Sequence, residues 1–266
     1  MSDEIGRPDD FRRLLRYLKM VEMDKELPTS MPPLAKITPE NFISFKLQKV
    51  IDWAVQEWLQ PVKEPPGVNF ERIDRYIRSP DGSNWTLENP PYDKNGEVAW
   101  CGHFTSTPFR ALGLDPAIVK SVLQSTYRLW NWANQNKGFV QASQMKPGDI
   151  VIVGPDYIKS GGQAVKAKEW GMHITLCLFP PGAIDDIYSV APGFSGEKLS
   201  NDEMFSKKYR TIEGNAMGYG PMGPTKYEGV TTNIRPINRQ DDFGYYVKHV
   251  VRFKPENYKD WVGNRT

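Results

Sequence analysis

The sequence of 266 residues holds little cysteine and little histidine. Its two cysteines, Cys101 and Cys177, are too few for the disulfide framework on which small secreted folds depend. Its three histidines, His103, His173 and His249, are scattered without the paired spacing that zinc sites show. The sequence therefore predicts neither a disulfide scaffold nor a metal site.

Long apolar runs and an excess of charge of one sign are absent as well. No stretch approaches about 18 consecutive apolar residues, so no segment is expected to span a membrane. The opening stretch MSDEIGRPDDFRR has no apolar segment behind its charges, so we expect no secretory signal peptide and synthesis in the cytoplasm. A formal net charge of +2 gives no general electrostatic case for binding nucleic acid or an anionic membrane. Any export would need a route other than an ordinary signal peptide.

Helical patterns occupy the first half of the chain. Thr38 and Pro39 are placed to be the N-cap and the first helical residue of a long helix with a broad apolar stripe. Further helices are predicted in DDFRRLLRYLKMVEM and in NFERIDRYIRSP. Pro-rich joints divide an N-terminal helical segment, residues 1–66, from a main domain, residues 67–266. The alternative, in which these helices pack directly on the main domain, stays open.

Two more helices are predicted on either side of Gly113. The stretch CGHFTSTPFRALG, which starts at Cys101, indicates a short helix that Gly113 closes. Pro108 within it is either tolerated as a kink or marks an earlier end. The stretch DPAIVKSVLQSTYRLWNWANQ indicates one continuous helix, with Asp115 as its N-cap and Pro116 at its first position.

Strand-like patterns follow after residue 138. Short β-rich runs are punctuated there by Gly, Pro and Asn, namely GDIVIVG, MHITLCLF, KYRTIEGNA, TTNIRPI and YYVKHVVRF. Helices first and strands afterwards indicate an α+β fold, with the N-terminal helices packed against an antiparallel β-sheet.

Four residues could carry chemistry together. A thiolate nucleophile needs a base within hydrogen-bond reach, and the base needs a third group to orient it. Cys101 stands where a helix should begin, a position that lowers the pKa of a thiol. His173 opens a strand, and either Glu213 or Asn215, near the end of another strand, could orient its imidazole. The alternatives are a buried structural thiol, a hydrogen-bonded histidine and two turn residues.

Three other residues receive lesser roles. His103 lies two residues beyond Cys101 and so points to a different face of the helix. Cys177 lies about 13 Å along a strand from His173 and is interpreted as a packing residue. Tyr92 is a candidate second donor to an oxyanion.

Four segments resemble, in this order, the CHAP family, the cysteine, histidine-dependent amidohydrolases and peptidases of the papain-like superfamily. They are YDKNGEVAWCGHFTSTPFRALG, MKPGDIVIVG, GMHITLCLF and YRTIEGNA. The shared features are a Trp-Cys followed by a small residue and an aromatic, a Gly-Asp strand, a Gly-x-His strand and a final Glu-x-Asn. The resemblance covers about residues 70–255. It departs at Gly102, where the family often has alanine, and in a longer insertion between His173 and Glu213.

The resemblance implies a papain-like fold and a hydrolase that cleaves amide bonds of bacterial peptidoglycan through a thioester, with no metal or cofactor. Cys101 matches the nucleophile, His173 the general base and Glu213 the group that orients it. Asn215 matches a further polar residue beside that acid.

The implied partners are peptidoglycan or a peptide substrate, together with a delivery, phage or inhibitor protein. Export would then proceed by phage lysis or by a specialised secretion system. Two alternatives stay open: a papain-like amidase of a non-wall peptide or conjugate, and a catalytically inactive binding module on the same scaffold.

Overall fold

The described residues of the computed structural model are 38–60, 70–77, 100–199, 207–221 and 225–261. Their helices are α1 (Pro39–Leu59), α2 (Phe70–Ile77), α3 (Cys101–Ala111), α4 (Pro116–Ser121), α5 (Thr126–Asn136) and α6 (Ile187–Val190). Their strands are β1 (Phe139–Val140), β2 (Ile150–Gly154), β3 (Tyr157–Ser160), β4 (Gln163–Lys166), β5 (His173–Phe179), β6 (Lys208–Tyr219), β7 (Lys226–Pro236) and β8 (Tyr246–Val251). The helix predicted in DDFRRLLRYLKMVEM lies outside the described residues.

In the described residues, six strands form one antiparallel sheet in the order β1-β8-β2-β5-β6-β7. Strand β5 lies between β2 and β6, and Leu176 at its middle pairs with Ile150 on one side and Ile212 on the other. These alternating apolar residues form the sheet face that packs under the helices. The α+β prediction with a mostly antiparallel sheet is confirmed. The separate β3–β4 hairpin is not among the predicted strands, because its exposed residues show no apolar alternation.

Helix α1 packs on the same core as the sheet. Thr38 accepts a hydrogen bond from the Asn41 amide at 3.2 Å, and Pro39 occupies the first turn. At the other end, the buried Trp58 indole donates to the carbonyl of Tyr219 in β6 at 3.0 Å. None of the helices in the described part of the chain is both long enough and apolar enough to cross a membrane.

The prediction of one continuous helix from Asp115 is wrong, because that stretch forms α4 and α5. Asp115 does cap α4, accepting a hydrogen bond from the Ala117 amide at 2.8 Å, with Pro116 in the first turn. The chain then turns, and the Ser125 hydroxyl accepts from the Arg128 amide to cap α5. A serine that serves as a cap therefore starts a second helix where the apolar pattern alone suggests continuity.

The turn between α4 and α5 lies directly against the start of α3. A Cβ atom added at Gly102 would stand 2.6 Å from the Leu123 carbonyl oxygen and 2.9 Å from the Gln124 Cα. This contact explains why position 102 requires glycine. Helix α3 continues to Ala111, so Pro108 is tolerated within it.

The long insertion before β6 is tied to the sheet by a buried ion pair. The Nε and Nη2 atoms of Arg210 donate to the Asp185 carboxylate, at 2.9 and 2.7 Å. Neither side chain is more than 1% exposed. Arg210 also donates to the Glu197 carbonyl at 2.6 Å, and Ile187 and Phe194 add buried apolar contacts. The described part of this segment, up to residue 199, is thus part of the core beside the strand that carries Glu213.

Replacing Arg210 by methionine should destabilise the protein by about 3–5 kcal/mol, because Asp185 would be left as an uncompensated buried charge. The matched control is Arg239→Met, which breaks an ion pair whose arginine is half exposed and should cost less than about 1 kcal/mol. Urea unfolding measures both. The double variant Asp185→Leu with Arg210→Met should regain part of the loss. Equal effects of Arg210→Met and Arg239→Met would show that the buried pair does not hold the insertion.

Candidate active site

The candidate site lies where the first turn of α3 meets the sheet. Cys101 is the first residue of α3, and the helix contacts both β5 and β6. The preceding residue, Trp100, is fully buried; its ring stacks on Tyr76 at 5.7 Å between centroids and meets Phe104 edge-on at 6.4 Å. This aromatic packing fixes the point at which the helix starts and therefore the position of the thiol.

Three of the predicted residues are brought together there. The Cys101 thiol and the His173 imidazole adjoin, since the charge and hydrogen bonding of each alter the pKa of the other. The Nε2 atom of His173 lies 3.2 Å from Oε2 of Glu213, which leaves Nδ1 as the ring nitrogen available to the sulfur. We call these three residues the row; Glu213 is fully buried, whereas His173 and Cys101 are each partly buried.

The electrostatics of the row favour a thiolate beside an imidazolium. Burial alone would raise the pKa of the Cys101 thiol, but the charge and hydrogen bond of His173 bring that pKa below its ordinary value. The backbone N–H groups of Ile174 and Gly102 also donate to the sulfur. Burial alone would lower the pKa of His173, but the Cys101 thiolate and the Glu213 carboxylate raise it to about 9. Between these two pKa values the pair is ionised.

Glu213 is itself held by two residues that the sequence reasoning missed. Arg235 on β7 donates to both of its carboxylate oxygens, at 2.8 and 2.6 Å, and the Thr211 hydroxyl donates to Oε1. Burial acts to raise the pKa of Glu213, but the charges and hydrogen bonds of Arg235 and His173 bring that pKa well below the usual range. The sequence does hint at Arg235, because this arginine stands within the predicted strand TTNIRPI, where a charged residue can serve as the partner of a buried acid.

Asn215 does not contact the imidazole but holds the start of α3. Its Oδ1 accepts a hydrogen bond from the Trp100 amide at 3.0 Å, and its backbone adopts a left-handed φ of +56° at a bulge in β6. A Cβ atom added at Gly214 would lie 2.5 Å from Phe104 and 2.7 Å from Trp100. Of the two candidates for orienting His173, Glu213 is the one in contact, and Asn215 positions the residue before the thiol.

The structure does not show the remaining predicted residues in the row of Cys101, His173 and Glu213. Tyr92 lies outside the described residues. Cys177 is fully buried in a second apolar cluster with Tyr209, and burial, with the nearby charge of Asp149, raises its pKa well above the usual value. His103 is buried on α3, where burial and the charge of Arg110 lower its pKa to about 4.

No group of three or more metal-binding side chains occurs among the described residues. The chain matched no protein-family model, no curated protein and no solved structure. The chemistry of the site therefore follows from its geometry: a thiol, an imidazole that can accept the thiol proton, and a fixed carboxylate that stabilises the resulting imidazolium.

The pH dependence of alkylation should show the ionised pair. In a Cys177→Ser background, iodoacetamide should label Cys101 with an apparent pKa below the ordinary thiol value of about 8.5, because the imidazolium favours the thiolate. His173→Ala should raise this midpoint, because the charge and hydrogen bond that favour the thiolate are lost while burial remains. Mass spectrometry of the labelled protein measures both. A midpoint at or above the ordinary value in the parent protein would contradict the ionised pair.

Replacing Arg235 by glutamine should raise the pKa of Glu213, because burial remains while its charge partner is removed. At low pH Glu213 then takes up a proton, and the His173 imidazolium loses its anionic partner. The pH at which alkylation of Cys101 begins to rise should therefore be higher. Arg235→Lys keeps the charge but loses the two-pronged contact, so it should shift the profile less. Equal shifts in the lysine and glutamine variants would show that the charge of Arg235 does not keep Glu213 ionised.

Proposed function

We propose that the protein is a cysteine amidohydrolase of CHAP type, with a papain-like fold, that cleaves amide bonds of bacterial peptidoglycan. The observation that carries the proposal is the row of Cys101, His173 and Glu213, with the thiol at the first turn of a helix. The order of its elements supports the fold assignment: a helix that presents cysteine, then antiparallel strands that present histidine and an acid. The four ordered motifs favour the peptidoglycan substrate.

In the proposed reaction, the Cys101 thiolate attacks the carbonyl carbon of an amide bond while His173 holds the proton. The oxyanion of the tetrahedral intermediate accepts hydrogen bonds from the Cys101 backbone N–H and from a second donor, for which Tyr92 is the candidate. Protonated His173 passes its proton to the leaving amine, and a thioester to Cys101 remains. His173 then removes a proton from water, which attacks the thioester and releases the carboxylic acid and the thiol.

Glu213 and Arg235 contribute without touching the substrate. The Glu213 carboxylate holds the imidazole in the tautomer and orientation that leave Nδ1 toward the sulfur, and its charge stabilises the imidazolium. Arg235 prevents that carboxylate from turning away or taking up a proton. The juxtaposition of thiol, imidazole and carboxylate in one row favours an enzyme over an inactive module.

The setting follows from the substrate. Peptidoglycan lies outside the cytoplasm, so we propose that the protein reaches it during phage lysis or through a specialised secretion system. A delivery, phage or inhibitor protein is the partner class that such a route requires.

A series of variants tests the proposal on purified peptidoglycan. Cys101→Ala and His173→Ala should each reduce hydrolysis to near background, and the double variant should be little worse, since the two residues act as a unit. Glu213→Gln should cost less, because an amide still orients the ring but loses the stabilising charge. The readouts are release of new amines and mass spectrometry of the products, which also identifies the bond that is cleaved.

The matched controls are Cys177→Ser and His103→Gln, which alter a buried thiol and a buried imidazole away from the row and should retain most activity. Addition of a chelator should leave hydrolysis unchanged. Activity in Cys101→Ala would refute the cysteine mechanism. Cleavage of other peptides but not of peptidoglycan would favour the alternative amidase, and a row with a reactive thiol but no hydrolysis of either would favour the binding module.

A further inference from the structure

Three aromatic side chains, one exposed and two partly buried, form a surface cluster that the proposed reaction does not use. Tyr127 and Trp130 lie in the first half of α5, and Trp170 lies in the loop before β5. The ring centroids are 6.4 Å apart for Tyr127 and Trp130, 5.0 Å for Tyr127 and Trp170, and 6.1 Å for Trp130 and Trp170. The Tyr127 side chain is 48% exposed. We call these three residues the aromatic platform.

The platform is built from the two segments that adjoin Cys101 and His173. On one side, Tyr127 follows Gln124 by three residues, and the Gln124 backbone lies against Gly102, the residue after the thiol. On the other side, Trp170 precedes His173 by three residues. Three residues of chain reach at most about 11 Å. The platform therefore lies within reach of an extended substrate whose scissile bond is at Cys101.

The loop that carries Trp170 is held in place on both sides. The His249 Nε2 atom donates to the Glu169 carbonyl at 3.1 Å, and the Met172 amide donates to the Val153 carbonyl at 2.9 Å. Gly171 between them has a φ of +69°, and a Cβ atom there would lie 2.5 Å from Ile152. Trp170 is thus presented by a backbone anchored to the sheet, as a preorganised contact requires.

The chemistry of the platform fits a sugar ring. One face of an N-acetylhexosamine is a patch of C–H groups, whose partial positive charge complements the negative face of an aromatic ring. Its hydroxyl and acetamide groups need polar partners at the rim, and Arg128, Lys168 and Glu169 are exposed beside the platform. The Lys168 ammonium already lies 5.7 Å from the Trp170 ring centroid, which disfavours a second cation such as a diamino acid side chain. An apolar side chain is normally bound in a concave pocket, whereas Tyr127 at this surface is 48% exposed.

We infer that the aromatic platform binds the glycan strand of the substrate, beside the stem peptide whose amide bond reaches Cys101. This inference rests on the proposed function, since it places the sugar part and the peptide part of one polymer on adjacent surfaces. The binding itself needs no hydrolysis, and the two can be measured separately.

The binding test uses full-length protein carrying Cys101→Ala, titrated with an N-acetylglucosamine tetrasaccharide and with peptide-free glycan strands from peptidoglycan. Calorimetry should show saturable binding of these sugars. Trp170→Ala and Tyr127→Ala should weaken it at least tenfold, and Trp170→Phe should retain most of it because a ring is preserved. The matched control is Phe45→Ala on α1, another exposed aromatic with a lysine ammonium over its ring, at 5.7 Å, which should change nothing.

The kinetic test uses the active protein on peptidoglycan. Trp170→Ala should raise KM at least tenfold with little change in kcat, and the rate of Cys101 alkylation should stay as in the parent protein. A platform that only supports the fold would instead lower kcat, alkylation and the unfolding midpoint together.

Absence of sugar binding, equal loss in Phe45→Ala, or binding of free stem peptide alone at the platform would each overturn the inference. If hydrolysis of peptidoglycan persists in such a case, the proposed function stands without it. If the sugars bind as expected but no amide bond is cleaved, the platform stands and the proposed function fails.

Discussion

The buried ion pair of Arg235 with Glu213 is the interaction on which the candidate site depends. A carboxylate with no exposed surface would be neutral without a partner, because burial disfavours its charge. Arg235 keeps it ionised, the carboxylate in turn favours an imidazolium at His173, and the imidazolium favours a thiolate at Cys101. The four groups therefore form a line of alternating charge in which each member offsets the burial of the next.

A second constraint holds this line in register with the helix that carries the thiol. Glu213, Gly214 and Asn215 are consecutive on β6, and each contacts a different part of the site. Glu213 faces His173, Gly214 leaves room for the rings of Trp100 and Phe104, and Asn215 binds the Trp100 amide. A slip of one residue in β6 would break all three contacts at once. The strand thus positions the acid and the thiol together.

Local patterns in the sequence predicted most of this arrangement. The caps at Thr38 and Asp115 depend on neighbouring residues alone, and the strand that carries His173 has a clear apolar alternation. The break between α4 and α5 could not be predicted from local pattern, since Ser125 favours the start of a new helix while the apolar pattern favours one continuous helix. The sequence shows Arg235 as a charged residue within a strand, but its contact with Glu213 arises from the pairing of β6 with β7, which no single stretch of sequence displays.

The spread of the four charged groups along the chain has a consequence for synthesis. Arg235 is made long after Cys101, and at about 5–20 residues per second the ribosome finishes β7 several seconds later. Until β6 and β7 pair, Glu213 has no arginine and His173 has no buried carboxylate. The line of alternating charge at Cys101 can therefore form only after β7 has been made and has paired with β6.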